Sequence, residues 1–160
     1  MSYLIYMDVC CLNRPLDDLE QTRIRLEAEA VTEIIQTCEA GIWMLMNSDI
    51  IEFEVSRHSD EFKRELIYAV LAKAQTYLVT SSRIEQRAED LMKYSFKFHD
   101  ALHLAFAEAS EVDVFLTTDD RLLRKAKENI SSIKIAVENP TIWLMSILQK
   151  EAETDETNGN

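Results

Sequence analysis

Residues 3–8 read YLIYMD, and this short stretch decides how the rest of the chain is read. Tyr3 to Met7 are apolar or aromatic without polar alternation, the pattern of a strand buried on both faces. The run then stops abruptly on a carboxylate, Asp8. Three more acids stand at similar boundaries. Glu54 lies in SDIIEFEV (48–55), Asp100 opens DALHLAFA (100–107), and Asp119 follows the apolar run VFL in VFLTTDD (114–120). Carboxylates gathered at one rim of a core repel each other strongly unless a cation sits between them. The pattern therefore marks a candidate metal-dependent enzyme.

Working outward from the first strand, strand-like and helix-like segments alternate along the whole chain. A loop with Asn13, Arg14 and Pro15 leads to a helix over 22–40, in which Ile24, Ala28, Val31 and Ile35 recur at helical spacing and Gly41 provides the stop. Residues 42–46 form a second strand candidate. Ser48 caps a helix over 49–57, and another runs from Ser59 or Asp60 to about residue 75. A weak strand at 76–79 precedes a helix from Ser81 or Ser82 to 94. A helix over 98–110 carries Asp100 in its first turn, where the helix dipole favours an anion. Then come a clear strand at 112–118, a short helix at 119–129, a last strand at 132–137, and a terminal helix that Pro140 opens, running to about 150.

Such alternation predicts an α/β fold with a parallel sheet and helices on both faces. In that architecture ligands bind beyond the carboxyl ends of the strands, where strand order reverses. Asp8 and Asp119 both follow strand candidates. Residues 1–150 are read as one domain, and 151–160, EAETDETNGN, as an acidic tail expected to be disordered.

Composition narrows the function classes. With 160 residues the chain suits one domain with a sizeable core. No apolar run approaches the ~20 residues of a membrane span, and the opening lacks the basic and apolar regions of a signal peptide. Cys10, Cys11 and Cys38 show no CxxC spacing and read as reduced thiols of a cytoplasmic protein. The only glycines, Gly41 and Gly159, are too few for a P-loop or a dinucleotide fingerprint. The net charge of −12 argues against avid, non-specific binding of nucleic acid through a basic face, although part of the excess lies in the tail.

IYMD (5–8), Ser48 to Glu54, DALHLAFA and FLTTDD together resemble the acidic motifs of PIN-domain nucleases, a family that includes the VapC-type toxins of toxin–antitoxin pairs. The resemblance spans residues 3–143. It implies a three-layer α/β/α sandwich around a parallel sheet and metal-dependent hydrolysis of RNA. It also implies Asp8, Glu54, Asp100 and Asp119 as catalytic and metal-holding residues, with Asp120 as an auxiliary ligand, and a small antitoxin as partner. Where many members follow the first Asp with Thr-Asn, this chain has Val9 and Cys10; Asn13 or Arg14 is then a candidate stand-in for the missing Asn.

The chemistry suits the residues. Hard cations such as Mg²⁺ and Mn²⁺ prefer oxygen ligands, and one ion or a pair about 3.5–4 Å apart can activate water and neutralise a leaving oxygen. Each acid also has a plainer reading: Asp8 as a turn residue, Asp100 as a dipole partner, Asp119 as an N-cap, and Glu54 as a solvated residue whose neighbours Asp49 and Glu52 compete for its place. His99 and His103 share a helix face without a third zinc ligand, so packing or a hydrogen bond near the site is expected of them. Cys10 has no identifiable base. Arg14, Arg23, Arg25, Arg121, Arg124 and Lys125 are candidates for gripping an RNA backbone. Trp43, Trp143 and 44–46 are read mostly as core, with the remainder available to a homodimer face. The competing functional reading is a non-catalytic RNA-binding or protein-interaction module that retains the fold. A receiver-like phosphoacceptor ranks below it, because no acidic pair precedes Asp8.

Overall fold

The computed structural model describes residues 1–159. Its sheet has five strands: β1 (Leu4–Met7), β2 (Met44–Ser48), β3 (Thr76–Leu78), β4 (Val114–Leu116) and β5 (Val137–Glu138). All neighbours are parallel, and their spatial order is β3-β2-β1-β4-β5. The chain thus steps outward from β1 in one direction, then returns to build the other half. Right-handed crossovers in opposite directions put helices on both faces, giving a three-layer α/β/α sandwich. The reversal falls between β1 and β4, where Tyr6 is in register with Phe115 and Met7 with Leu116.

The two central strands are fully buried from Ile5 to Met7 and from Val114 to Leu116. Tyr6 and Phe115 stack across them with ring centroids 5.1 Å apart, a contact worth about 0.5–1.5 kcal/mol beyond the area it buries. Around this centre lie α2 (Thr22–Glu39), α3 (Asp49–Ser56), α4 (Glu61–Leu71), α5 (Ser82–Met92), α6 (Phe98–Ala109), α7 (Asp120–Glu128) and α8 (Pro140–Asn158). Helix α6 is the most deeply sunk, buried continuously from Ala101 to Ala107. Tyr3, Trp43 and Trp143 meet edge to face, and both tryptophans are buried, so they belong to the core and offer nothing to a dimer face.

Three expectations are corrected. Immediately after Asp8 the chain forms a helix, α1 (Val9–Asn13), followed by a 3-10 turn (Arg14–Leu16), where a loop was expected. The last strand is confined to Val137–Glu138, with turns before it, because only these residues pair with β4. Residues 151–158 continue α8 and are not a disordered tail: Glu151, Ala152, Glu153 and Glu156 favour a helix, and Gln149 reaches Glu153 one turn on. Asn160, the last residue of that expected tail, lies outside the described residues.

Candidate active site

Two of the four expected acids, Asp8 and Asp119, are held by the helices they cap. Asp8 leaves the end of β1 and caps α1: its Oδ1 accepts the Cys11 N–H at 2.9 Å. Asp119 follows β4 by a few residues and caps α7, its Oδ1 accepting the N–H groups of Arg121 (2.9 Å) and Leu122 (3.3 Å). Asp100 occupies the first turn of α6. Glu54 lies in the last turn of α3, whose start is fixed by Ser48, the end of β2 and the helix N-cap. Capping and site geometry are therefore carried by the same side chains at Asp8 and Asp119.

The four acids act on one another. Asp8 is buried, and desolvation raises its pKa to about 6; the Thr117 hydroxyl, the Cys11 amide and His103 offset this in part, while Asp100 adds to it. Asp100 is also raised, first by desolvation and then by Asp119; His103 and Lys97 offset this in part, and Glu54 adds a smaller push. Beside them the Cys10 thiol is driven up to about 12, by desolvation first and then by Asp8, Asp119, Glu54 and Asp100 together. That one thiol senses all four carboxylates. Its proton is held so tightly that it cannot serve as a nucleophile near neutral pH.

Asp120 does not join them. It is exposed and paired to Arg23, whose Nη1 lies 2.8 Å from Oδ2, and Arg23 lowers its pKa. A bidentate arginine already meets the charge of this acid, which was expected as an auxiliary ligand. The acids that compete with Glu54 are engaged elsewhere. Glu52 takes the Asn47 amide at 2.9 Å and the Tyr77 hydroxyl, and Asp49 takes Thr80, so neither points to the cluster. Asn13 is engaged by Asp17 and His58, and Arg14 by Asp17 and Glu27; neither stands in for the asparagine absent after Asp8.

One group was missed in the sequence. His103 Nε2 lies 2.8 Å from Glu54 Oε1, while its Nδ1 hydrogen-bonds the buried Tyr6 hydroxyl, which in turn approaches the Ser48 hydroxyl at 3.4 Å. A bond from His103 near the site was expected. Tyr6 was not, though a phenol inside a doubly buried strand must find a polar partner.

Among the described residues, no group of three or more His, Cys, Asp or Glu side chains is already arranged to hold a metal ion. The donor chemistry nonetheless fits a hard divalent cation. The cluster consists of carboxylates, no lysine or arginine is paired to them among the described residues, and Asp119 Oδ2 and Glu54 Oε2 take no protein hydrogen bond there. Side chains would have to close up on an ion.

The fold has known counterparts. VapC20 of Mycobacterium tuberculosis, described as a sarcin–ricin loop cleaving toxin, superposes with a TM-score of 0.54 at 12% identity, covering 75% of this chain and 93% of that one. PAE2754 of Pyrobaculum aerophilum gives 0.52 at 14% identity, over 93% of this chain and 99% of that one. VapBC2 of Rickettsia felis, solved on a DNA fragment from its promoter, gives 0.52 at 11% identity, over 85% and 98%. The chain has a VapC-like PIN fold. No family model matches the sequence, and no curated protein matches it. The likeness thus lives in the backbone, whereas at these identities the side chains must speak for themselves.

Proposed function

We propose that this PIN-fold protein is a Mg²⁺- or Mn²⁺-dependent endoribonuclease whose catalytic, metal-holding acids are Asp8, Glu54, Asp100 and Asp119. The observation that carries the reading is the mutual repulsion of these carboxylates near the β1/β4 reversal, which Lys97 and His103 offset only in part at Asp100 and which no lysine or arginine ion pair relieves among the described residues. Ligand sites of parallel sheets lie at such reversals. A bound divalent ion supplies an activated water and neutralises charge on the leaving oxygen of a phosphodiester.

The chain's own contributions follow from its geometry. Asp8 and Asp119 are locked by the helices they cap, which fixes their carboxylates relative to the sheet. Asp100 adds charge from the first turn of the sunken α6. Arg121 and Arg124 on α7 and Arg25 on α2 form no ion pair among the described residues and are the candidates for meeting phosphates, whereas Arg14 and Arg23 are tied up in the protein. Asp8 and Asp100 favour their protonated forms more than ordinary carboxylates do, so metal binding displaces protons and strengthens as pH rises.

By analogy with the toxins that share its fold, we assign the protein as the toxin of a toxin–antitoxin pair, acting in the cytoplasm and restrained by a small antitoxin. Among the described residues, no helix is long and apolar enough to cross a membrane.

The test is direct. Purified protein is expected to cleave RNA with Mg²⁺ or Mn²⁺, to stop with EDTA, and to lose cleavage in Asp8→Asn and Asp100→Asn. Cleavage that survives chelation and both substitutions excludes the mechanism. Absence of saturable, Asp100-dependent Mn²⁺ binding would instead favour a non-catalytic module on the same fold.

A further inference from the structure

Three buried polar groups form a chain that ends on Glu54. Tyr6 is fully buried and His103 is 3% exposed, in a core that is otherwise almost wholly apolar. The Tyr6 hydroxyl meets His103 Nδ1, and His103 Nε2 lies 2.8 Å from Glu54 Oε1. An ionised carboxylate can only accept a hydrogen bond, so Nε2 must carry a proton. A phenol has one proton to give, and Nδ1 is its nearest acceptor, since the Ser48 Oγ stands farther off at 3.4 Å and already receives the Ile51 N–H. Neutral imidazole with Nδ1 accepting and Nε2 donating satisfies every member.

We infer that Tyr6 fixes His103 as its Nε2–H tautomer, and that His103 so fixed is a positioning residue that holds Glu54 with Oε2 turned free for a divalent cation. The inference rests on the reading of Asp8, Glu54, Asp100 and Asp119 as the metal-holding acids.

Glu54 is the acid that needs such a tie. It caps no helix, unlike Asp8 and Asp119, and its longer side chain has more rotors to order. Its charge is among those that raise the Asp100 pKa, so the two like charges oppose each other. His99 stands 3.7 Å from the same Oε1, too far for a hydrogen bond, which leaves His103 as the anchor. Partners that orient a metal-holding side chain typically change metal affinity about 10–100-fold when removed.

The experiment uses the full chain and two readouts. Side-chain ¹⁵N–¹H correlation spectra of the metal-free protein report the tautomer of His103, and Mn²⁺ titration followed by electron paramagnetic resonance reports affinity. The variants are His103→Leu, His103→Gln, Tyr6→Phe and Asp100→Asn. The expected result is the Nε2–H tautomer in the unaltered protein and a mixture in Tyr6→Phe. Mn²⁺ affinity should fall about 10-fold or more in His103→Leu, recover in His103→Gln, whose amide nitrogen reaches the place of Nε2, and fall a few-fold in Tyr6→Phe. An Nδ1–H tautomer or an imidazolium in the unaltered protein overturns the inference, as does unchanged affinity in His103→Leu. Should His103→Leu fail to fold, Tyr6→Phe decides alone: an unchanged tautomer with unchanged affinity is fatal. Asp100→Asn separates the two levels. If it too leaves Mn²⁺ binding intact, or if the unaltered protein binds none, the underlying site reading has failed and the positioning claim goes with it. If only His103→Leu is silent, the positioning claim alone is lost.

Discussion

Asp119 and Asp120 are neighbours in sequence, yet they belong to two acidic regions of opposite character. On one side Asp8, Glu54, Asp100 and Asp119 form no ion pair with arginine or lysine among the described residues, and the pKa values of Asp8 and Asp100 are raised even though Lys97 and His103 work against the shift at Asp100. On the other side Asp120 and the buried Glu27 are met by Arg23 at both, by Arg14 at Glu27, and by the Asn139 amide, which also caps α8. The second region is a structural network whose charges are met within the protein, although Arg14 Nε and Glu27 Oε1, 3.3 Å apart, make no hydrogen bond. The first is left unbalanced by the protein itself, at a standing cost in stability. A fold keeps such repulsion where something from outside relieves it, and this contrast separates the site from the many other carboxylates of an acidic chain.

The sharpest way to break the comparison is to neutralise one acid in each region and measure function. Asp100→Asn is expected to reduce RNA cleavage by about 100-fold or more, equivalent to ~2.7 kcal/mol of transition-state stabilisation, and to remove Mn²⁺ binding. Asp120→Asn is expected to retain both. Equal losses in the two variants would erase the distinction between the regions.

For stability the order is reversed. Glu27 is 2% exposed, so replacing it with glutamine removes the buried charge on α2 that Arg14 and Arg23 share and weakens the tie to Asn139. Breaking a buried pair in this way costs about 3 kcal/mol. Chemical denaturation is expected to show that loss at pH 7, with Mn²⁺ affinity unchanged. A neutral outcome would mean that the network is not a structural one.

Asp8→Asn should do the opposite. Asparagine keeps the N-cap to Cys11 while removing the buried charge. Because the folded-state pKa of Asp8 is raised, from 3.8 to about 6, its charge opposes folding at neutral pH. The favourable contribution is complete below pH 4 and is lost as pH rises through 6, so the metal-free protein loses stability over that window. The substitution is expected to flatten that part of the profile and to stabilise the metal-free protein at pH 7 by roughly 2–3 kcal/mol. Thermal unfolding of both proteins between pH 4 and pH 7.5 checks the sign; a destabilised variant at pH 7 contradicts it.

How far the sequence could carry the distinction depends on range. The central strands were legible because β1 and the VFL run are apolar without interruption, which only a doubly covered parallel strand requires. The acids were legible as positions for the same reason, since each closes or opens an element. Helix α1 was hidden by its brevity, too short for a helical period to emerge. Residues 151–158 carry no apolar stripe to extend the helical period of α8, and their helix formers Glu151, Ala152, Glu153 and Glu156 are interrupted by Thr154 and Asp155, so the helix there leaves little trace in the sequence. The pairing of charges was beyond reach: Arg23 with Asp120, and Tyr6 with His103, each join residues 97 apart. No local pattern tells which of two adjacent aspartates has an arginine waiting for it.

The smallest effect is expected where the comparison is most finely drawn, in Asp120→Asn measured for stability alone. Arg23 and Asp120 are both exposed, so water screens their attraction, and Arg23 keeps a second partner in Glu27 at 3.5 Å. Exposed pairs of this kind contribute little. The variant should unfold within a degree or two of the unaltered protein, and added salt should narrow even that gap. If the loss were instead as large as for Glu27→Gln, the α2–α7 contact would be a principal brace of the rim that carries Asp119. The paired region would then be holding the unbalanced one in shape.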